Sequence, residues 1–157
     1  MKKIPLFATT ALFTILLACG ESPKDNTTNA PSSMIQSSDK YDPNRGEGKW
    51  TAENIGLTDE INEAMAAEGE KISNTKCLSC HKLTEERLVG PGWKGATVRR
   101  SPEWLMNFIT NPDPMIDKDP EVQAMLELCL VRMPNQNLSD EESRNILEFM
   151  RKNDKTK

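Results

Sequence analysis

The pattern of apolar and polar residues predicts four amphipathic helices after residue 50, because apolar side chains recur there at intervals of three and four residues. The first helix has Thr58 as its candidate N-cap and ends near Asn74. The second begins at Ser101, with Pro102 in the first helical position, and must end before Pro112. The apolar positions of these helices are Ile61, Ala64, Met65 and Ile72 in the first, and Trp104, Leu105, Phe108 and Ile109 in the second.

The third and fourth predicted helices lie nearer the C-terminus. The third begins at Asp119 and Pro120, and the fourth opens with Ser139 followed by three acidic residues, which is a capping-box pattern. Their apolar positions are Val122, Met125, Leu126 and Cys129, and Ile146, Leu147, Phe149 and Met150. The sequence shows no strand-length alternation of apolar and polar residues. The pattern therefore predicts one all-α domain over residues 50–157.

Residues 1–18 have the pattern of an export signal. A basic start is followed by an apolar stretch from Ile4 to Ala18, which is shorter than the ~20 residues needed to span a bilayer. It ends in Leu-Leu-Ala-Cys19-Gly, which resembles the lipobox of bacterial lipoproteins. The resemblance implies cleavage before Cys19, acylation of Cys19, and a lipid anchor on the periplasmic side of the inner or outer membrane. The alternative is an ordinary signal peptide with an incidental cysteine.

Residues 19–49 differ in composition from the helical region after residue 50. They are dominated by Ser, Asn, Asp, Lys, Pro and Gly, and their few apolar residues have no periodicity. Such a segment buries too little apolar surface to fold, and it predicts a flexible tether with a reach of roughly 30 Å.

The chain is acidic. Its formal net charge is −4, and removal of the two lysines of the signal makes the exported form about −6. This balance argues against nucleic acid as a partner and favours a protein partner with a basic patch.

Residues 75–82 read TKCLSCHK and hold the candidate chemistry. Cys77 and Cys80 are three apart, and His81 is the only histidine of the chain. A redox dithiol requires a strand-containing framework, which the sequence does not predict. A zinc site formed by these three residues and Cys129 is an alternative, although the adjacency of Cys80 and His81 strains tetrahedral coordination.

Attachment of a c-type haem explains the adjacency. In Cys-x-x-Cys-His, both cysteines form thioethers with the haem and the histidine ligates the iron. A methionine on the opposite face would raise the reduction potential. Met133, in a predicted loop and followed by Pro134, is the best placed of the eight methionines, and Met115, in a Pro- and Asp-rich turn, is a weaker candidate.

Residues from about 58 to 153 resemble a class I cytochrome c. The resemblance is carried by Cys77-Leu78-Ser79-Cys80-His81, Gly90-Pro91-Gly92, Met133-Pro134 and the amphipathic C-terminal helix. It implies a small helical domain around one covalently bound haem c, with Met133 as the distal iron ligand and the Pro91 carbonyl accepting a hydrogen bond from His81.

The resemblance also implies a close crossing of the first and last helices at Gly69, against Ile146 and Phe149. One position departs from the family pattern, because Ser73 stands where an aromatic residue is usual.

The function implied is that of a membrane-tethered carrier of single electrons, with no small-molecule substrate. Its partners would be a respiratory donor and a terminal oxidase or reductase. The alternative from the enzyme class keeps the haem but leaves the distal site open for peroxide or a diatomic gas.

Several further residues are candidates for the haem pocket. Trp93 is expected either on the haem or as a surface loop anchor. Arg99, Arg100 and Trp104 are candidates for hydrogen bonds to the haem propionates, with a solvated basic pair and a core aromatic as the alternatives. Cys129 is expected to be a buried free thiol on its apolar stripe, with an intermolecular disulfide as the alternative.

Overall fold

The computed structural model describes residues 41–155. The expected signal peptide, the lipidation site Cys19 and the tether up to residue 40 lie outside the described residues. The described part contains helices and no strands, which confirms the all-α prediction. The helices are α1 (Ala52–Ile55), α2 (Glu63–Lys76), α3 (Ala96–Arg99), α4 (Pro102–Thr110), α5 (Pro112–Lys118), α6 (Pro120–Cys129) and α7 (Asp140–Lys155). Between residues 41 and 155, no helix has the length and hydropathy needed to cross a bilayer.

The core is organised around the crossing of α2 and α7, and α4 packs on α7. A Cβ added at Gly69 would overlap the Asn145 carbonyl oxygen and lie 2.9 Å from the Ile146 nitrogen. Glycine is therefore required for the two backbones to approach this closely. Ser73 is fully buried one turn further along α2. The crossing at Gly69 agrees with the sequence prediction, and a small side chain at Ser73 suits so close a contact.

The start and the buried face of α2 differ from the prediction. The side chain of Asn62, and not that of Thr58, caps the helix by accepting a hydrogen bond from the Met65 amide. The carbonyl of Thr58 instead accepts from Arg151 of α7 at 2.7 Å, which holds this segment outside the helix. The buried residues of α2 are Ala66, Gly69 and Ser73. The larger apolar side chains flank the contact because the close crossing admits only small residues.

The other three predicted helix starts are confirmed. Ser101 and Asp119 cap α4 and α6, each with proline following. At α7, the Ser139 hydroxyl accepts from the Glu142 amide at 3.1 Å, and the Glu142 carboxylate accepts from the Ser139 amide at 2.8 Å. These two bonds form the predicted capping box.

Met115 does not lie in a turn. It is fully buried on α5, a helix that the sequence pattern did not predict. The two prolines of Pro112–Lys118 lie in the first turn of α5, where proline is tolerated because the first amides of a helix have no intrahelical partner.

The folded domain also begins earlier than residue 50. Residues 41–50, called here the N-terminal strap, pack on α4, α5 and the start of α6. The Tyr41 hydroxyl donates to Asp119 at 2.5 Å, and the Ser101 hydroxyl donates to the Asn44 carbonyl at 2.6 Å. Gly46 and Trp50 are buried. The last nine residues of the expected tether are thus part of the fold.

Candidate functional site

The two cysteines of TKCLSCHK lie on one tight turn at the end of α2. The Cys77 amide closes the last turn of the helix on the Ser73 carbonyl at 2.9 Å. The amides of Cys80 and His81 then both donate to the Cys77 carbonyl at 3.1 Å. Cys77, Cys80 and His81 are all half-buried. One local backbone structure therefore presents two sulfurs and an imidazole together.

The imidazole of His81 is fixed by a hydrogen bond to the backbone. Nδ1 of His81 lies 2.8 Å from the Pro91 carbonyl oxygen. Because a carbonyl can only accept, Nδ1 carries the proton and Nε2 keeps its lone pair. Burial lowers the pKa of His81, and the bond to Pro91 opposes this only in part. The side chain is therefore a neutral imidazole with Nε2 able to ligate a metal.

The loop that carries Pro91 is shaped around this ring. A Cβ added at Gly90 would overlap Cε1 of His81 and come within 2.8 Å of Nδ1. Trp93 is buried on another side of the ring, with centroids 5.8 Å apart, and it packs edge-on against Phe149 at 6.3 Å. Trp93 is therefore a core residue beside His81 and not a surface anchor.

A cleft of about 650 Å³ opens next to Pro91. This volume falls in the usual range for cofactor and ligand sites, ~300–1,000 Å³. The residues that line it are Glu85, Arg87, Pro91, Gly92, Arg99, Met125 and Leu128. We call it the Pro91 cleft. Its two walls are joined where the Arg87 guanidinium donates to the Leu128 carbonyl.

Met125 and Leu128 are cleft residues that the sequence pattern does not identify. The pattern places Met125 in the core on its helix, whereas the side chain is 37% exposed, and Leu128 is 63% exposed.

Met133 lies in the non-helical segment between α6 and α7. Its side chain is half-buried and packs against the core. Its position on a loop agrees with the sequence prediction, and it differs in this from Met115, which is enclosed by the core on α5.

The three candidates for propionate contacts have different surroundings. Trp104 is buried, and its indole N–H donates to Asp119 at 2.9 Å. Because indole has a single donor, which is used here on Asp119, Trp104 has the position expected under the alternative of a core aromatic. Arg100 lies over the Trp104 ring at 4.3 Å and pairs with Glu121 at 2.5 Å, so it is also engaged elsewhere. Arg99 does line the Pro91 cleft, where it donates to the carbonyl of Lys94 at 2.9 Å.

The Cys77 thiol and the arrangement of possible ligands do not favour a zinc or redox site. Within residues 41–155, no three His, Cys, Asp or Glu side chains come together as a possible metal site, so Cys129 does not complete one. Burial raises the pKa of the Cys77 thiol to about 11. Zinc ligands and redox cysteines are thiolates, whose formation a raised pKa opposes. Cys129 is half-buried at the end of α6, and not fully buried as expected.

Comparison with known proteins gives a consistent family assignment. The family model for cytochrome c matches residues 66–154. Among solved structures, a cytochrome c from Rhodothermus marinus is 34% identical, with a TM-score of 0.63, and the alignment covers 71% of this chain and 92% of that one. An engineered form of that cytochrome is 32% identical, with a TM-score of 0.65, covering 73% of this chain and all of the other.

A further structure of the engineered Rhodothermus marinus cytochrome, bound to a carbene intermediate, is also 32% identical and has a TM-score of 0.62. It too covers 73% of this chain and all of the other. No curated protein sequence matches significantly.

Proposed function

The chain belongs to the cytochrome c family, whose members bind haem c covalently and generally carry electrons, and on that premise we propose that it is a membrane-tethered carrier of single electrons. Bound haem would supply the one-electron change between Fe(III) and Fe(II). The protein's contribution is then to attach the haem, ligate its iron, limit access of water and present one edge to a partner.

The residues at the site fit this cofactor. Cys77 and Cys80 lie on the same turn, as two thioether bonds to one porphyrin require, and thioether formation does not need a thiol of low pKa. The Pro91 cleft adjoins the carbonyl that holds His81, although neither cysteine nor His81 lines it, and its volume suits a cofactor. We propose Cys77 and Cys80 as the attachment residues and His81 as the proximal ligand.

The observation that carries the proposal is the bond between His81 and Pro91. A carbonyl acceptor at 2.8 Å on Nδ1 selects the tautomer in which Nε2 is free, and it fixes the plane of the ring. Such a partner also makes the imidazole a stronger donor to a metal. A histidine that only packed in the core would have no need of both an oriented Nδ1–H and an adjacent glycine that accommodates the ring.

We propose Met133 as the distal ligand. Its place in a loop, followed by proline and half-buried against the core, allows the thioether to face the site without a helix constraining it. Thioether ligation stabilises the ferrous state and so raises the reduction potential. Of the three candidates, Arg99 is the one that lines the cleft, and we propose it as a cation that neutralises a propionate.

The anchoring and the partners belong to the same proposal. The lipobox-like segment at Cys19 supports lipidation and export, and the polar segment after it supports a tether. A tethered carrier is held near membrane-bound respiratory donors and acceptors at a high effective concentration. The acidic balance of the chain supports docking to a basic surface on the partner.

The proposal is tested on the full exported chain by visible spectroscopy, redox titration and metal analysis. We expect one iron per chain, haem that stays bound after denaturation, and a single reversible one-electron transition. Zinc in place of iron would refute the haem assignment. Avid binding of carbon monoxide to the ferrous protein would show an open distal site and favour gas or peroxide chemistry over electron carriage.

A further inference from the structure

The N-terminal strap is bound by a fully buried amide. Asn107 of α4 is 1% exposed, and its side-chain oxygen accepts from the Trp50 amide at 2.9 Å. Its side-chain nitrogen donates to the carbonyls of Arg45 and Trp50 at 3.0 and 3.1 Å. Both the oxygen and the nitrogen of this amide therefore bond to the backbone of the strap, so the contact is polar and specific as well as apolar.

The glycines of the strap fit the same surface. At Gly46, where φ is +74°, a Cβ would overlap the terminal methyl of Met115 and lie 2.9 Å from its sulfur. At Gly48 a Cβ would lie 2.8 Å from Cγ of Asn107. The strap therefore packs against α4 and α5 at a distance that only glycine permits. The sequence match to the family begins at residue 66, after the strap has ended.

Asp119 joins the strap to α6. This carboxylate is 1% exposed and accepts from the Tyr41 hydroxyl at 2.5 Å and from the Trp104 indole at 2.9 Å. It also caps α6, accepting from the amides of Glu121 and Val122 at 2.9 and 3.1 Å. One buried group therefore ties together the strap, α4 and the first turn of α6.

The other end of α6 lines the cleft beside Pro91 and leads into the loop of Met133. Met125 and Leu128 line the Pro91 cleft, and α6 ends at Cys129, only four residues before Met133. The position of the helix start consequently influences both a wall of the cleft and the segment that carries Met133.

We propose that Tyr41, through Asp119, is a positioning residue for the distal side of the haem site, holding α6 so that Met133 stays on the iron. This inference rests on the proposed function, because it assumes that Met133 is the distal ligand. It predicts that loss of the Tyr41 hydroxyl makes Met133 easier to displace while leaving the attachment at Cys77 and Cys80 intact.

The experiment measures displacement of Met133 by added imidazole in the ferric full-length protein. Tyr41→Phe should bind imidazole more tightly than the parent, by up to about tenfold if the whole hydrogen bond is coupled to the ligand. Gly46→Ala, which pushes the strap away from Met115 without touching Asp119, should change the affinity in the same direction. It serves as the second variant should Tyr41→Phe fold poorly.

The matched control is Asn62→Ala, which removes a helix cap on the proximal side, where the Asn62 oxygen accepts from the Met65 amide at 3.1 Å. It should lower stability to a similar degree and leave the imidazole affinity unchanged. If Tyr41→Phe and Gly46→Ala bind imidazole as the parent does, in a parent that shows thioether ligation dependent on Met133, this inference is wrong and the proposed function stands. If the parent shows no such ligation, the assignment of Met133 as distal ligand and this inference are both wrong, and the proposed electron carriage is then decided by the iron content and the redox titration alone.

Discussion

The carbonyl oxygen of Pro91 lies 2.8 Å from Nδ1 of His81, and Gly90 leaves room for the ring beside it. The two features act together, because the carbonyl orients the imidazole only while the backbone can approach it this closely. This bond joins residues ten positions apart, so the orientation of the His81 ring depends on the loop as much as on the Cys-x-x-Cys-His motif.

Gly90→Ala should disturb His81, the proposed proximal ligand. The new methyl would overlap the imidazole, which must rotate or move away from Pro91. We expect a loss of about 1–3 kcal/mol in the free energy of unfolding, together with a shifted reduction potential. Gly56→Ala is the control, because its Cβ meets no atom within 4 Å although φ is +64°. It should cost some stability through backbone strain but leave the spectrum and potential unchanged. Equal spectra for both variants would contradict the role given to the loop.

If Met133 is the distal ligand as proposed, Met133→Ala should remove the spectral signature of thioether ligation and lower the reduction potential, because the sulfur that stabilises the ferrous state is lost. Covalent haem should be retained. The measurement is the near-infrared band of the ferric protein with a potentiometric titration. Met65→Ala on α2 removes another half-buried methionine and should alter neither. An unchanged spectrum and potential in Met133→Ala would show that another group is the distal ligand.

The sequence was most informative where structure is determined locally. Ser101, Asp119 and Ser139 each cap the helix that follows within three residues, and all three starts were predicted. The start of α2 was not, because Arg151 holds the Thr58 carbonyl from 93 residues away. The strap was missed for the same reason, since its polar composition resembles a tether until Asn107 and Asp119 supply its partners.

The site residues show the same difference between features set by local sequence and features set by tertiary packing. The haem motif occupies adjacent positions and could be interpreted directly, and the family comparison supports the cofactor. The hydrogen bond from the Trp104 indole to Asp119 depends on how α4 packs against the start of α6. No pattern in the sequence specifies that packing.

Glu148→Gln should be among the more destabilising single changes in the domain. Glu148 is fully buried on α7 and pairs with Arg144 at 2.6 Å and Arg151 at 2.9 Å. Both arginines are themselves largely buried, so loss of the carboxylate leaves them without a counter-charge. Removing one member of a buried ion pair costs about 3–5 kcal/mol, and the amide oxygen of glutamine should recover part of this.

The control for Glu148 is Glu63→Gln. The Glu63–Lys152 pair is 2.6 Å long, but its side chains are 67% and 40% exposed. An exposed pair contributes roughly 0–1 kcal/mol. Urea denaturation of the two variants should therefore differ clearly in midpoint. Similar midpoints would mean that the buried carboxylate does not stabilise the contact of Arg151 with the Thr58 carbonyl.

Stability at alkaline pH should depend on Tyr41, the only tyrosine of the chain. Burial, with the hydrogen bond and negative charge of Asp119, raises the pKa of Tyr41 above its ordinary value. Because the folded state holds this proton more tightly than the unfolded state, the stabilisation is complete below the unfolded pKa of about 10 and is lost as the pH rises through and beyond it. The absorbance of tyrosinate, followed as a difference spectrum, should therefore appear at higher pH in the folded protein than in urea.

At neutral pH, Tyr41→Phe should be less stable than the parent by about 1.5 kcal/mol. This difference should shrink above pH ~10, because phenylalanine does not ionise. A constant difference between parent and variant from pH 7 to pH 11, measured by urea denaturation, would show that Tyr41 titrates normally and that its bond to Asp119 does not favour the protonated form.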